Sequence, residues 1–171
     1  MPQLNRDVRH PVTLTLNGKQ VSGHAEPRML LTDFLTHEIG ITSCHTGCEH
    51  GVCGACTVLI DGIVRRGCLT FAVQADGCTV ETAESLAAPD GELSALQKAF
   101  RKHHGLQCGY CTPGILMSIT AYLRENPSPT EEQVRDMLSG HLCRCTGYVG
   151  MVRAVMDFVS SRNTAEDDAA G

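Results

Sequence analysis

Apolar and polar residues alternate near the start of the chain in the way that is typical of half-buried strands. Val12, Leu14 and Leu16 alternate with threonines, and every second side chain of a strand points to the same face. The dipeptide Asn17-Gly18 follows and favours a tight hairpin turn. The pattern therefore predicts two paired strands at the beginning of the chain.

Further strand signals and one helix signal follow in the same half. Residues 29–38 place leucine and phenylalanine four positions apart, which indicates a short helix. Residues 57–60 read as a strand before the hairpin signal Asp61-Gly62, and residues 79–82 read as a last strand. The sequence thus predicts a small α+β sheet domain over residues 1–84.

The hydrophobic period becomes helical beyond the turn-rich segment 85–91, which we interpret as a linker. Gly105 is expected to stop the first helix, Thr112 to cap the second, and Thr130 with Gln133 to form a capping box for the third. Four amphipathic helices with short connections can bury their apolar faces as a bundle. We therefore predict an all-α domain at 92–162 and a disordered tail at 163–171. The predicted helices cover residues 93–104, 112–125, 130–138 and 152–159.

Composition and charge narrow the classes of function. The formal net charge is −5 and no long run of lysine or arginine occurs, so no nucleic-acid footprint is expected. No apolar stretch approaches the length of a membrane span, and the first residues do not form a secretory signal. The sequence therefore predicts a cytoplasmic protein with neither a membrane nor a nucleic acid as partner. Ten cysteines in that reducing compartment indicate metal binding rather than disulfides.

The segment CEHGVCGAC carries three cysteines with the spacing C-x4-C-x2-C. A fourth cysteine lies one predicted hairpin further on, and this arrangement is the ligand pattern of a plant-type [2Fe–2S] ferredoxin. The two glycines of the loop suit the backbone angles of a tight wrap around a cluster. The predicted ligands are Cys48, Cys53, Cys56 and Cys68.

A second set of cysteines lies in the helical half, at the ends of predicted helices. Two pairs brought together supply four thiolates, which is enough for one zinc ion or one [2Fe–2S] cluster. The spacing alone leaves both open, although a Cys-x-Cys pair is less usual for structural zinc and favours iron. The predicted ligands are Cys108, Cys111, Cys143 and Cys145.

Eight thiolates satisfy two sites, so the remaining candidates are interpreted as structural residues. Cys44 crowds the first set but breaks its register, and Cys78 lies at the start of a strand. Both are expected to be buried or idle thiols. His50 is expected to be a loop residue beside the first cluster rather than a ligand.

Two motifs together carry a family resemblance. GCEHGVCGACTVLIDG followed by Cys68, and QCGYCTPG followed by LCRCTGY, resemble the small iron–sulfur subunit of the xanthine oxidase family of molybdenum hydroxylases. The resemblance extends from residue 10 to residue 160. It implies a β-grasp ferredoxin-type domain with the cluster nearer a flavin, followed by a four-helix-bundle domain with the cluster nearer molybdenum.

The resemblance also implies cofactors and partners. Gln107 matches the residue that hydrogen-bonds the pterin of the molybdenum cofactor, and Cys145 would lie closest to that pterin. The partners would be a large subunit with molybdopterin cytosine dinucleotide and a medium subunit with FAD, arranged as a dimer of heterotrimers. Electrons would pass from molybdenum through the Cys108 set and then the Cys48 set to FAD, during hydroxylation of an aromatic N-heterocycle or an aldehyde.

Other functions remain open from the sequence alone. The same type of subunit occurs in carbon monoxide dehydrogenases and in aromatic thioester reductases, where electrons run the opposite way. A free-standing two-cluster ferredoxin would have no need of Gln107 or of the CRCTGY loop. A zinc-stapled structural adaptor would leave the plant-type loop unexplained.

Overall fold

Five strands form one mixed sheet in the computed structural model, which describes residues 4–169 and their side chains as far as residue 162. The order across the sheet is β2-β1-β5-β3-β4. The β1–β5 pair is parallel, and the other pairs are antiparallel. The strands are β1 (His10–Leu16), β2 (Lys19–Ala25), β3 (Thr57–Ile60), β4 (Ile63–Arg66) and β5 (Thr79–Glu81).

Both predicted hairpin turns are present, one between β1 and β2 and one between β3 and β4. Asn17 and Gly18 have φ angles of 49° and 80°, and Asp61 and Gly62 have φ angles of 50° and 78°. Positive φ at both central residues is the requirement of the type I′ turn, whose twist matches that of the flanking strands. The local dipeptides therefore determine the pairing of these strands.

A short helix covers one face of the sheet. Helix α1 (Leu31–Asp33) continues as a π-helical segment, Phe34–Ile39, and Phe34 and Leu35 are fully buried. They pack with the inward side chains of β1 and β5, Val12, Leu14 and Val80 among them. This cluster is the hydrophobic core of the first half.

Four helices make up the second half. Helix α2 packs on α5, and α4 packs on both α5 and α3. Helix α3 also lies against β3, where Met117 and Ala121 bury Leu59, so this helix belongs to the packing of both halves. The helices are α2 (Ala95–Lys102), α3 (Thr112–Glu125), α4 (Glu131–Ser139) and α5 (Val149–Ala169).

Two helix ends differ from their predicted form. Helix α3 begins at Thr112, with Cys111 at the N-cap, and the buried Thr112 hydroxyl has no hydrogen-bond partner. The predicted Thr112 cap is therefore wrong by one residue. After α2 the left-handed residue is His104, with φ of 51°, and Gly105 instead packs closely on Phe100.

Capping boxes define the starts of α2 and α4. The predicted box of Thr130 and Gln133 is present, and a second one joins Ser94 and Gln97 at the start of α2. Each pairs two backbone N–H groups that have no partner within the helix. Among the helices of residues 4–169, none combines the length and the low charge that crossing a membrane requires.

The domain boundaries and the tail stay predictions. A 3₁₀ turn, Ala83–Leu86, overlaps the predicted linker at 85–91. The predicted disorder at 163–171 overlaps the end of α5, whose described backbone continues to Ala169. The side chains of residues 163–169 and the whole of residues 170–171 lie outside the described part of the chain.

Candidate metal centres

An irregular loop between the π-helical segment and β3 holds three cysteines of the first motif. Glu49, Gly51 and Gly54 have positive φ angles of 58°, 82° and 78°, and such turns direct successive N–H groups inward. The Cys53 N–H donates to the Cys48 Sγ at 3.3 Å. Hydrogen bonds from the N–H groups of Cys53 and His50 lower the pKa of the Cys48 thiol to about 6. The loop thus stabilises a thiolate, which is the form that binds metal.

The β3–β4 hairpin brings the fourth cysteine of the first motif to this loop. Cys56 immediately precedes β3 and Cys68 lies two residues after β4, and the Gly67 N–H donates to the Cys56 carbonyl at 3.0 Å. Burial raises the pKa of Cys68 to about 11, and a hydrogen bond with Cys56 and the charge of Cys48 add to the rise. The structure therefore brings the four cysteines into one group, which we call the first cysteine group.

The second motif also forms one group, the second cysteine group, at the start of α3 and after the end of α4. The Cys145 Sγ lies 3.4 Å from the Cys108 Sγ. Burial raises the pKa of Cys111 to about 12, and a hydrogen bond with Cys143 contributes to the rise. Each pair from one loop thus meets the pair from the other.

The donor chemistry of both groups fits an iron–sulfur cluster. Four cysteine thiolates are the usual ligands of a [2Fe–2S] cluster, and backbone N–H bonds to a ligating sulfur stabilise its negative charge. Among the described residues, no three His, Cys, Asp or Glu side chains come as close together as the ligands of a single metal ion do.

The other thiols lie outside both groups. Cys44 is buried, its Sγ lies 3.9 Å from the Cys56 carbonyl oxygen, and burial raises its pKa to about 12. The Cys78 thiol lies 3.8 Å from the Gln74 carbonyl oxygen. His50 contacts the Cys48 carbonyl oxygen through its Nδ1. Their roles as structural residues stay predictions.

Gln107 lies on an exposed edge beside the second cysteine group, where Cys108 and Cys145 are also exposed.

Large apolar side chains are exposed within the segments that carry both groups. Such exposure near a candidate site is typical of a surface that contacts another protein. These side chains are Val52, Leu69 and Phe71 on the first side and Leu106, Tyr110, Leu142 and Val149 on the second.

Two residues that sequence reasoning missed lie between the groups. His141 is only 2% exposed, and burial, followed by the nearby Arg66 charge, lowers its pKa to about 4. Arg66 donates to the Gly140 carbonyl at 2.7 Å. The only local signal was Gly54, because a left-handed glycine often marks a close approach by another group.

Comparisons with known proteins match both halves of the chain. Residues 14–87 match the family described as the 2Fe-2S iron-sulfur cluster binding domain, and residues 82–156 match the [2Fe-2S] binding domain. The second match covers all four cysteines of the second group. It decides between zinc and iron in favour of iron, so the zinc-stapled adaptor is wrong.

Individual relatives are similar over nearly the whole chain. The nicotine 6-hydroxylase small subunit of Paenarthrobacter nicotinovorans is 51% identical over 87% of this chain and 89% of its own. The caffeine dehydrogenase subunit gamma of Pseudomonas sp. (strain CBB1) is 46% identical over 93% of this chain and 96% of its own. The crystal structure of quinoline 2-oxidoreductase from Pseudomonas putida 86 superposes with a TM-score of 0.87 at 47% identity, over 91% of this chain and 97% of that one.

Two [2Fe–2S]-binding domains in one chain define an iron–sulfur component of an oxidoreductase. The chain belongs to the small iron–sulfur subunits of the xanthine oxidase family of molybdenum hydroxylases.

Proposed function

We propose that this chain transfers electrons within a molybdenum hydroxylase complex and that each cysteine group holds one [2Fe–2S] cluster. The ligands would be Cys48, Cys53, Cys56 and Cys68 in the first group and Cys108, Cys111, Cys143 and Cys145 in the second. The observation that carries the proposal is the presence of two separate groups of four thiols. One loop and the next hairpin supply the first group, and two distant segments supply the second. When bound, each cluster supplies a one-electron carrier.

The protein has two tasks in this function. Its backbone N–H groups stabilise thiolate charge, as the lowered pKa of Cys48 indicates. Its burial is uneven, since Cys111 is buried while Cys108 and Cys145 are exposed. One side of the second group is therefore shielded from water, and the other side is free to face a partner.

The exposed side of the second group is the proposed contact with the molybdenum cofactor. Gln107 is exposed next to Cys108 and near Cys145, and its amide can both donate and accept hydrogen bonds. We expect Gln107 to bind the pterin of molybdopterin cytosine dinucleotide on a large partner subunit. Cys145, or the backbone beside it, would be the part of this chain nearest to that pterin.

Partner subunits are supported by the relatives. The aldehyde oxidoreductase from Desulfovibrio desulfuricans ATCC 27774 is 41% identical with a TM-score of 0.83, and this chain covers 17% of that chain. The relatives of similar length are named as subunits. We propose a large molybdenum subunit and a medium FAD subunit, assembled as a dimer of heterotrimers in the cytoplasm, with the four helices acting as a bundle around the second group.

An aromatic N-heterocycle is the substrate class that the comparisons favour. Nicotine, caffeine and quinoline appear in the names of relatives that are 46–51% identical to this chain. Aldehyde oxidoreductases are 38–43% identical, so an aldehyde is the second candidate. The names of these relatives give no support to carbon monoxide or to an aromatic thioester as the substrate.

A free-standing ferredoxin fits the surface less well. A shuttle that meets many partners only briefly is expected to be polar throughout, whereas Leu69 and Leu142 are 64% and 57% exposed beside the two groups. A lasting subunit contact would cover these side chains.

Purification from the native host under anaerobic conditions tests the proposed function. We expect the tagged chain to bring down molybdenum and flavin in a fixed ratio to itself. An iron-loaded chain that purifies alone at every salt concentration tested would contradict the subunit role and favour the shuttle.

The role of Gln107 has its own test. Gln107→Ala should keep the iron content and lower the molybdenum occupancy of the purified complex, because the pterin loses a hydrogen-bond partner. Gln20→Ala, which changes an exposed glutamine of β2, is the matched control. Equal molybdenum occupancy in both variants would remove Gln107 from the cofactor contact.

A further inference from the structure

One backbone hydrogen bond joins the two cysteine groups directly. The Leu142 N–H donates to the Cys53 carbonyl at 2.9 Å, and Leu142 is covalently bonded to Cys143. A continuous path of covalent bonds with a single hydrogen bond therefore runs from the Cys53 thiol to the Cys143 thiol.

The ring of His141 fixes the loop residue next to this bond. Its Nε2 lies 2.7 Å from the Ser118 Oγ on α3. On the other side, a Cβ placed on Gly54 would lie 2.4 Å from its Nδ1, so the ring packs directly on the Gly54 backbone. Because Gly54 follows Cys53, the ring holds the peptide whose carbonyl accepts the Leu142 bond.

Arg66 anchors the same segment from the sheet. Its guanidinium donates to the Gly140 carbonyl at 2.7 Å and also contacts the Thr57 hydroxyl. Gly140 and His141 directly precede Leu142, so Arg66 and His141 hold consecutive residues of one segment, 140–142. A forked guanidinium suits this task because it can bond two oxygens at once.

Helix α3 prevents the loop from moving away on its other side. A Cβ on Gly114 would lie 2.3 Å from the Gly54 carbonyl oxygen and 2.8 Å from that of Ala55. The loop is thus confined between α3 and segment 140–142. Little freedom remains for the two cysteine groups to move relative to each other.

We propose that His141 and Arg66 are positioning residues that maintain the Cys53–Leu142 hydrogen bond, and that this bond is the through-bond connection along which electrons pass between the two groups. The inference rests on the proposed function, in which both groups hold a cluster. Each transfer moves one electron, so one centre is oxidised by one unit and the other is reduced by one. No covalent bond forms or breaks, and no proton is required.

A purely structural role predicts a different result. If His141 only fills space, its removal lowers stability or iron content. The magnetic interaction between the two clusters is then unchanged in the molecules that still hold both. If it maintains the connection, the interaction weakens in molecules that still hold both clusters. The test therefore measures the magnetic interaction between the two clusters in protein that holds both of them.

The experiment compares His141→Ala with His37→Ala, which changes an exposed histidine, each in the full complex. Iron content is measured first and is expected to stay equal to that of the unchanged protein. Hydrogen exchange of peptides containing Leu142 should become about tenfold faster in His141→Ala, the factor for losing one ordinary hydrogen bond. Spin resonance of the reduced protein should show a weaker interaction between the two centres. His37→Ala should change neither quantity.

Unchanged exchange and unchanged interaction in fully loaded His141→Ala would overturn the inference. A single type of cluster in the wild-type protein would instead overturn the proposed function. Failure of the inference and failure of the proposed function are therefore distinguishable. If His141→Ala does not fold, Arg66→Lys replaces it, because a lysine keeps the charge but offers one nitrogen in place of the two guanidinium nitrogens that bond Thr57 and Gly140. Its control is Arg65→Lys on the exposed face of β4. The same weakened magnetic interaction is expected in Arg66→Lys. Equal hydrogen exchange and equal magnetic interaction in Arg66→Lys and Arg65→Lys would also overturn the inference.

Discussion

At the scale of single residues, Gly54 is constrained by both its backbone and its neighbour. Its φ is +78°, and a Cβ there would lie 2.4 Å from His141. Gly62 has the same φ of +78° but no atom within 4 Å of a built Cβ. The two glycines thus separate the cost of a left-handed conformation from the cost of a steric clash.

We predict that Gly54→Ala destabilises the protein more than Gly62→Ala does. The left-handed conformation costs roughly 1–2 kcal/mol for an alanine, and overpacking against His141 adds about 1–3 kcal/mol at Gly54 alone. Thermal unfolding and iron content of both variants measure this. Equal stability and equal iron would show that the His141 contact is not restrictive.

Some of the cysteines are candidate ligands and others are not, and a substitution can test this difference. Cys53→Ser replaces a candidate ligand with a weaker one, whereas Cys78→Ser changes a thiol outside both groups. We expect Cys53→Ser to lose or perturb one spin-resonance signal and to keep the signal of the second group. Cys78→Ser should keep both signals. Loss of both signals in Cys53→Ser would contradict this expectation, because the second group would then depend on a ligand of the first.

At the scale of elements, local sequence predicted several turns and caps that are built from neighbouring residues, although the predicted cap of α3 was wrong by one residue. The hairpins at Asn17-Gly18 and Asp61-Gly62 and the capping box at Thr130 were predicted because their donors and acceptors lie within a few positions. The π-helical form of residues 34–39 had no such signal. Its residues Phe34, Leu35 and Ile39 pack in the core of the first half.

The contacts between the halves could not be predicted because the residues that form them lie far apart in the sequence. Arg66 and Gly140 join the halves and are 74 residues apart, while the His141–Ser118 contact within the helical half spans 23 residues. A polar residue in a loop before a cysteine is usually solvated, so the residues around His141 did not indicate its burial, and Gly54 was the one signal of a close approach. The cysteine spacing identified the candidate ligands because loops that wrap a cluster leave a fixed pattern.

The cap of α2 gives a prediction for one element. The Ser94 hydroxyl oxygen accepts a hydrogen bond from the Gln97 N–H, and the Gln97 Oε1 accepts one from the Ser94 N–H. Ser94→Ala should therefore lower the free energy of unfolding by about 1 kcal/mol, while Ser94→Asp should be close to neutral. Denaturant unfolding of the two variants measures the difference. An alanine variant as stable as the aspartate variant would exclude the cap as a contribution.

At the scale of the whole molecule, α3 is the element that joins the two halves. Met117 is fully buried and packs on Leu59 of β3, while the start of the same helix holds the second cysteine group. Movement of either half would disturb this contact. The relative position of the two groups is thus determined by the packing of α3 on the sheet as well as by segment 140–142.

Met117→Ala should destabilise both halves together. Removing a fully buried methionine costs about 2–5 kcal/mol, and the resulting cavity would lie at the joint rather than inside one half. Met137→Ala, which shortens a half-buried side chain on α4, is the control. Unfolding followed by a probe in each half is expected to shift equally for both probes in Met117→Ala. A shift confined to the helical half would contradict the claim that Met117 couples the stability of the two halves.

The central claim is that one chain carries two [2Fe–2S] clusters in two separate cysteine groups. The most direct test is the amount of iron and acid-labile sulfide per chain in anaerobically purified native protein, with spin resonance after reduction by dithionite. The account predicts four irons, four sulfides and two distinguishable signals from reduced clusters. Two irons, two sulfides and a zinc ion, with one signal, would contradict it, because the second group would then be a structural site with no part in electron transfer.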